Sequence, residues 1–207
     1  TEIYTLSLHD ALPISIAEDL ENVTVLFADL VEFTAASRQM TPKDLVELLN
    51  EVFSTFDRLA EQYGLEKIKT IGDAYMVAGG LSRYKSSEAS VPKHVEHLNA
   101  VAAMALDMRQ TTGQFKRPDG TPFQLRVGIH MGPVMAGVIG RRKFAYDLWG
   151  DTVNIASRME TTGMAGHIQV TPIVHEKLES QFCFERRGTI SLKGSGLMET
   201  FWLLKRR

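Results

Sequence analysis

Lys67-Ile68-Lys69-Thr70-Ile71-Gly72-Asp73-Ala74-Tyr75-Met76 decides the fold of this chain. Two β-rich runs, 65–70 and 74–78, flank Gly72-Asp73, which reads as the turn of an antiparallel hairpin. Strict alternation places Lys67, Lys69 and Ile71 on one face and Ile68 and Thr70 on the other. Upstream, Thr41-Pro42-Lys43-Asp44 announces a helix. Thr41 can cap it, Pro42 suits its first position, and an acid follows in the first turn. Leu45, Leu48, Leu49, Val52, Phe53, Phe56, Leu59, Ala60 and Tyr63 follow at steps of three and four, an amphipathic stripe that Gly64 ends. Before the helix, Val23 to Phe27 reads as a buried strand, and Asp29 closes its apolar run.

Working downstream, residues 79–92 read as a polar loop and 92–111 as a second long helix. Pro118-Asp119-Gly120 signals a turn. Strands are expected at 123–130 and 133–139, joined by Met131-Gly132, then a helix over 151–159. Short strands near 167–170, 181–185, 188–192 and 198–204 and a helix from Pro172 complete the chain. The order predicts an α+β single domain with a ferredoxin-like βαββαβ core, followed by C-terminal helices and short strands. Its helices are expected on one sheet face, leaving the other for a ligand or a partner subunit. Residues 1–20 show no period and read as a tail or linker, with the domain at 21–207.

The bulk numbers exclude several classes. The chain has 207 residues, 44% hydrophobic and 23% charged, which suits one globular domain. A net charge of −2 gives no bulk drive toward nucleic acid or an anionic membrane. The single cysteine, Cys183, excludes an intrachain disulfide and every multi-cysteine metal site. Between Phe182 and Phe184 it reads as a small buried hydrophobe. No apolar run reaches membrane-spanning length, and residues 1–16 lack a secretory signal. A cytoplasmic setting is expected.

Two residues break the apolar pattern most sharply. Asp29 closes one strand and Asp73 sits in the hairpin turn of another. A carboxylate so placed is costly to desolvate unless something pairs with it. Brought together by sheet pairing, the two form a hard-oxygen site for Mg²⁺ or Mn²⁺. Such sites serve chemistry at phosphorus. Phe27-Ala28-Asp29-Leu30-Val31-Glu32-Phe33-Thr34 adds a tight turn into a helix, whose backbone N–H groups near Phe33 and Thr34 can hold phosphate oxygens. Farther on, Asn154 and Arg158 are four apart and share a helical face. An amide and a guanidinium aimed together suit an anionic transition state.

Taken jointly, four blocks make the chain resemble the catalytic domain of the class III nucleotidyl cyclases, the adenylate and guanylate cyclases. They are Phe-Ala-Asp-Leu-Val-x-Phe-Thr at 27–34, Lys-Ile-Lys-Thr-Ile-Gly-Asp at 67–73, Arg-Val-Gly-Ile-His-x-Gly-Pro-Val-x-Ala-Gly-Val-Ile-Gly at 126–140, and Tyr-Asp-Leu-Trp-Gly-Asp-Thr-Val-Asn-Ile-Ala-Ser-Arg-Met at 146–159. The resemblance spans roughly 22–205. It implies that Asp29, Asp73 and the Leu30 carbonyl bind two divalent cations, Mg²⁺ or Mn²⁺. It further implies that Asn154 orients the ribose, Arg158 stabilises charge at the α-phosphate and Lys193 holds the triphosphate. Lys69 and Asp147 stand where the family reads the base. A donor and an acceptor in those places match the adenylate cyclase pattern, so ATP is expected over GTP. Guanylate cyclases typically carry an acid where Lys69 stands. A guanylate or mixed-specificity cyclase, or a regulatory domain that no longer turns over, are the alternatives.

In the family the residues converge from two subunits, which implies a head-to-tail homodimer and allows an upstream regulatory domain in a longer parent. One departure bears on the site. Glu32 stands where the family usually has glycine, where a carboxylate either repels triphosphate or faces solvent. Repulsion predicts tighter nucleotide binding in Glu32→Gly.

Overall fold

The computed structural model describes residues 17–81, 93–139, 145–192, 194 and 196–207. Strand β1 (Ala17–Leu30) is followed by a short helix α1 (Phe33–Ser37) and a long one, α2 (Pro42–Gln62). The hairpin β2 (Glu66–Ile71) and β3 (Ala74–Gly79) comes next, then α3 (Lys93–Thr112) and β4 (Leu125–Ile139). These form the βαββαβ core, with strands in the order β2-β3-β1-β4 and antiparallel at every contact. Strand β5 (Ala145–Trp149) folds back on β4, and α4 (Asp151–Thr161), β6 (Ile168–Val170), α5 (Pro172–Leu178), β7 (Phe182–Leu192) and β8 (Gly196–Arg206) complete the domain. The sheet continues β4-β6-β8-β7, eight strands among the described residues.

Helix α2 begins as its cap residues require: the Asp44 N–H donates to the Thr41 hydroxyl at 3.2 Å, with Pro42 in the first turn. Its apolar stripe, through Val52, Phe56 and Ala60, packs with α3 and α5 onto one sheet face, against Leu26, Tyr75, Val77, Val127 and Ile129. These side chains are all but removed from water, and their burial is the main favourable contribution to folding. Tyr75 is buried there with its hydroxyl donating to Asp57 of α2 at 2.7 Å.

Several expectations change. Helices do not keep to one face: α4 lies on the other, where Ala156 packs with Val25, Phe27 and Met76. The strands expected at 123–130 and 133–139 are one, because Met131 and Gly132 go on pairing with Thr24 and Val23 of β1. The C-terminal strands are not short. The runs at 181–185 and 188–192 join into β7, bulged between Arg186 and Gly188, and pair along β8. Finally, residues 17–20 belong to the sheet, paired with Val134–Gly137 beyond a register shift at Leu20/Val23. Their weak apolar pattern hid this, since backbone pairing asks little of side chains. Cys183 is half-buried rather than buried. Residues 1–16 and most of the 79–92 loop lie outside the described residues.

Gly128 sets the seat of α4. A Cβ there would fall 2.1 Å from the Glu160 nitrogen, 2.5 Å from the Ala156 oxygen and 2.6 Å from the Met159 carbonyl carbon. All three are helix backbone, which cannot step aside. Gly128→Ala is therefore expected to destabilise the domain by about 2 kcal/mol or more. The check is a lower urea midpoint at unchanged slope.

Candidate active site

Strand β1 runs between β3 and β4, with Asp29 opposite Ala74 on one side and Arg126 on the other. Asp73 precedes Ala74 in the hairpin turn, where Gly72 takes a φ of 62°. The turn sets the Asp73 carboxylate against Asp29. The Arg126 guanidinium donates to Asp29 at 2.9 Å and to Glu160 of α4 at 2.6 Å. Burial pushes the Asp29 carboxyl up from its ordinary 3.8 to about 7, and the neighbouring Asp73 and Glu160 carboxylates add to the rise. Arg126 opposes it without cancelling it. Burial also raises the Glu160 carboxyl, against the hydrogen bond from Arg126. One guanidinium thus faces three carboxylates, a cluster short of positive charge. Among the described residues, no three carboxylate, imidazole or thiol side chains form a ready-made metal cage. Two carboxylates with the adjoining Leu30 carbonyl are an all-oxygen set, which fits a hard divalent cation.

Lys69 reaches a second cluster. Its ammonium donates to Asp147 of β5 at 2.5 Å, and the other Asp147 oxygen accepts the Leu148 N–H at 2.9 Å. The expected alternation along β2 fails here. A bulge between Lys67 and Lys69 inserts Ile68, so Lys67 pairs with Val77 and Lys69 with Met76. The two lysines consequently face opposite sides of the sheet. Lys67 turns to Asp57 of α2 at 2.8 Å, and Lys69 shares the face of Asp29.

Helix α4 carries Asn154, which is exposed, and Arg158, one turn later. Its first turn is fastened by the Thr152 hydroxyl, which donates to the Pro133 carbonyl at 2.6 Å. The Arg158 Nη1 is buried without a hydrogen-bond partner among the described residues. A buried guanidinium nitrogen left so is costly, and an anion would satisfy it. Gly194 lies beside it: a Cβ there would sit 3.7 Å from Nη1. Lys193 lies outside the described residues. Phe33 is buried in the core, so only its backbone can face a ligand, while Thr34 is exposed.

The chain thus assembles Asp29 with Asp73, and Lys69 with Asp147. Asp73, Glu160 and Arg126 all act on the Asp29 carboxyl. Sequence reading missed Arg126 and Glu160. For Arg126 a signal existed: a charge inside the apolar strand Leu125-Arg126-Val127, the anomaly that marked Asp29. Glu160 gave none, since only packing on Gly128 turns it toward the sheet.

The raised Asp29 carboxyl has a definite pH signature. The folded chain binds its proton more tightly than the unfolded chain, so ionisation between about pH 4 and 7 works against folding. In chelator-treated protein, Asp29→Asn is expected to gain stability relative to the parent as pH rises through that window. Below pH 4 the gain should vanish. Urea unfolding at pH 4, 6 and 8 measures it.

A family model described as the adenylate and guanylate cyclase catalytic domain matches residues 16–205. An adenylate cyclase of Mycobacterium tuberculosis is 46% identical over 192 residues, 93% of this chain and 41% of that protein. The guanylate cyclase soluble subunit beta-2 of Rattus norvegicus is 43% identical over 192 residues, 91% of this chain and 27% of that protein. The chain thus spans about two fifths or less of these curated relatives. Among solved structures, the guanylate cyclase domain of RhGC from Catenaria anguillulae in complex with GTP superposes with a TM-score of 0.83 at 35% identity, over 92% of this chain and 100% of that one. With the family model matched over nearly the whole chain and relatives of both kinds above 40% identity, this chain belongs to the adenylate and guanylate cyclase catalytic domains.

Proposed function

We propose that the chain converts ATP to 3′,5′-cyclic AMP and pyrophosphate. One observation carries the reading. The under-compensated Asp29–Asp73 pair and the Lys69–Asp147 donor–acceptor pair lie on the same sheet face, as separate clusters. The first fits two divalent cations, Mg²⁺ or Mn²⁺, held by Asp29, Asp73 and the Leu30 carbonyl. When bound, they supply positive charge for the triphosphate and favour ionisation of the ribose 3′-hydroxyl. The second fits adenine: the Lys69 ammonium donates to a ring nitrogen, and the Asp147 carboxylate accepts from the 6-amino group. The two groups also pair with each other, so a bound base would exchange one set of polar contacts for another.

The remaining residues act on the reacting atoms. The 3′-oxygen attacks the α-phosphorus and gives up its proton to solvent, while the bond from the α-phosphorus to the bridging oxygen breaks and pyrophosphate leaves with that oxygen. Asn154 orients the ribose for in-line attack. Arg158, whose Nη1 is buried without a hydrogen-bond partner among the described residues, takes up the charge that grows on the α-phosphate. Lys193 pairs with the triphosphate, and the backbone around Phe33 and Thr34 holds phosphate oxygens. As the resemblance to the family implies, the complete site forms between two copies, head to tail, with two equivalent sites per dimer. No helix among the described residues is long and apolar enough to cross a membrane. Use of ATP and a lone thiol suit the cytoplasm, with an upstream regulatory domain in a longer parent.

The test is incubation with ATP or GTP plus Mn²⁺ or Mg²⁺, with both cyclic products quantified. Cyclic AMP should dominate, and Asp29→Ala or Asp73→Ala should abolish it. Lys69→Glu should lower kcat/KM for ATP by about two orders of magnitude. Predominant cyclic GMP from the parent would reverse the base assignment. Normal turnover in either aspartate variant would refute the metal assignment.

A further inference from the structure

Glu32 holds a backbone conformation that side chains rarely take. Its φ is 59° and ψ 22°, and every other described residue with positive φ is a glycine. The residue caps α1 through its carbonyl, which accepts from the Ala35 and Ala36 N–H groups at 3.0 and 3.1 Å. Its side chain makes no cap. A glycine meets that backbone demand without strain, so what favours glutamate must lie in its side chain.

That side chain is neither free in solvent nor turned on the site. Its carboxylate accepts from the Arg117 Nη1 at 2.6 Å. The Arg117 Nη2 donates to the Val31 carbonyl at 3.1 Å, so one planar fork grips two successive residues of the turn. Arg117 is itself well anchored. Its guanidinium lies 5.5 Å over the ring of buried Phe123. Its backbone N–H donates to the Thr121 carbonyl at 2.8 Å, closing a turn in which Asp119 accepts from both the Thr121 N–H and hydroxyl. The arginine side chain is 16% exposed and the glutamate 65%. The arginine is the fixed post, and the glutamate reaches to it.

The gripped turn matters for where it lies. Asp29 and Leu30 come directly before it, and Phe33 and Thr34 directly after. The Val31 N–H also donates to the Gln124 carbonyl at 2.9 Å, so Val31 is held on both its polar groups.

We propose that Glu32 and Arg117 are positioning residues: a latch across two loops that fixes the turn after β1, and with it the aim of the Leu30 carbonyl and of the phosphate-facing backbone. Neither residue touches the reacting atoms. The latch replaces the conformational ease of glycine with an ionic tie. It also removes the expected cause for tighter binding in Glu32→Gly, since the carboxylate is already compensated by Arg117. Its consequence for catalysis rests on the cyclase reading, whereas its consequence for the turn does not.

The test compares the full chain with Arg117→Ala, Arg117→Lys, Glu32→Ala and Glu32→Gln. Amide hydrogen exchange at residues 31–35 reads the turn directly, with no metal or nucleotide present. Exchange there should quicken about tenfold in Arg117→Ala and Glu32→Ala, with little change in α2 or α3. Mn²⁺ affinity, followed through the electron paramagnetic resonance of the free ion, should weaken about tenfold in the same two variants. KM for ATP should rise in parallel, with kcat at saturation within about twofold. Arg117→Lys, which can reach one partner at a time, should recover part of each loss, and Glu32→Gln, which keeps the hydrogen bond without the charge, should fall between the parent and Glu32→Ala. Unchanged exchange at 31–35 in both alanine variants would overturn the latch. So would faster exchange spread equally over the domain, which marks a general loss of structure. If Arg117→Ala does not fold, Glu32→Ala decides the matter by the same readings. A parent that yields no cyclic product refutes the cyclase reading alone, because the exchange comparison still stands.

Discussion

The constraint on which the site depends is the place of β1 between two antiparallel partners. Register alone puts Asp29 opposite Ala74, one residue from Asp73, and opposite Arg126. Because side chains alternate along a strand, a slip of one residue would send Asp29 into the helical core and turn Leu30 outward. The apolar face, packed beneath α2 and α3, forbids that slip. The burial that folds the domain therefore also fixes the position of its most strained charges. Strand pairing fastens α4 as well, since its seat on Gly128 leaves no room for a side chain. The helix bearing Asn154 and Arg158 is thus located by the absence of a single methyl group.

Two charge clusters result, and they differ in kind. The Lys69–Asp147 pair is nearly self-sufficient, a donor and an acceptor that satisfy each other. The Asp29 cluster is not, because one guanidinium answers three carboxylates and Asp29 stays hard to ionise. Arg158 has the opposite deficit, a buried nitrogen without an acceptor among the described residues. Cation-seeking carboxylates and an anion-seeking guanidinium are complementary to a metal–triphosphate complex. The proposed sharing of a site between two copies would bring both to one nucleotide.

Much of this was legible in the sequence, for reasons that can be named. Helix α2 announced itself because capping chemistry and a long apolar stripe coincide. The βαββαβ order was legible because Gly72-Asp73 marks a hairpin between β-rich runs. Asp29 and Asp73 stood out as charges in apolar strands. What escaped depends on long-range geometry. The bulge at Ile68 reverses the facing of Lys69 relative to Lys67, and no residue there signals it. Glu160 reads as an ordinary helical acid until α4 settles on Gly128. Arg117 lies 85 positions from Glu32, so their pairing is visible only once the fold closes. Residues 17–20 join the sheet through pairing with β4, with Leu20 packed on the second apolar cluster, and their mixed composition gives no period that shows it.

The central claim is that each complete site takes its metal-binding carboxylates from one copy and its ribose- and phosphate-directed residues from another. The most direct measurement mixes two inactive variants, Asp73→Ala and Asn154→Ala, after co-refolding. Each homodimer lacks a complete site, whereas the mixed dimer rebuilds one of two. The account predicts cyclic AMP formation at about one quarter of the parent rate in an equal mixture of freely exchanging subunits. A mixture as inactive as its components would show that all the residues act within one chain, and would contradict the account.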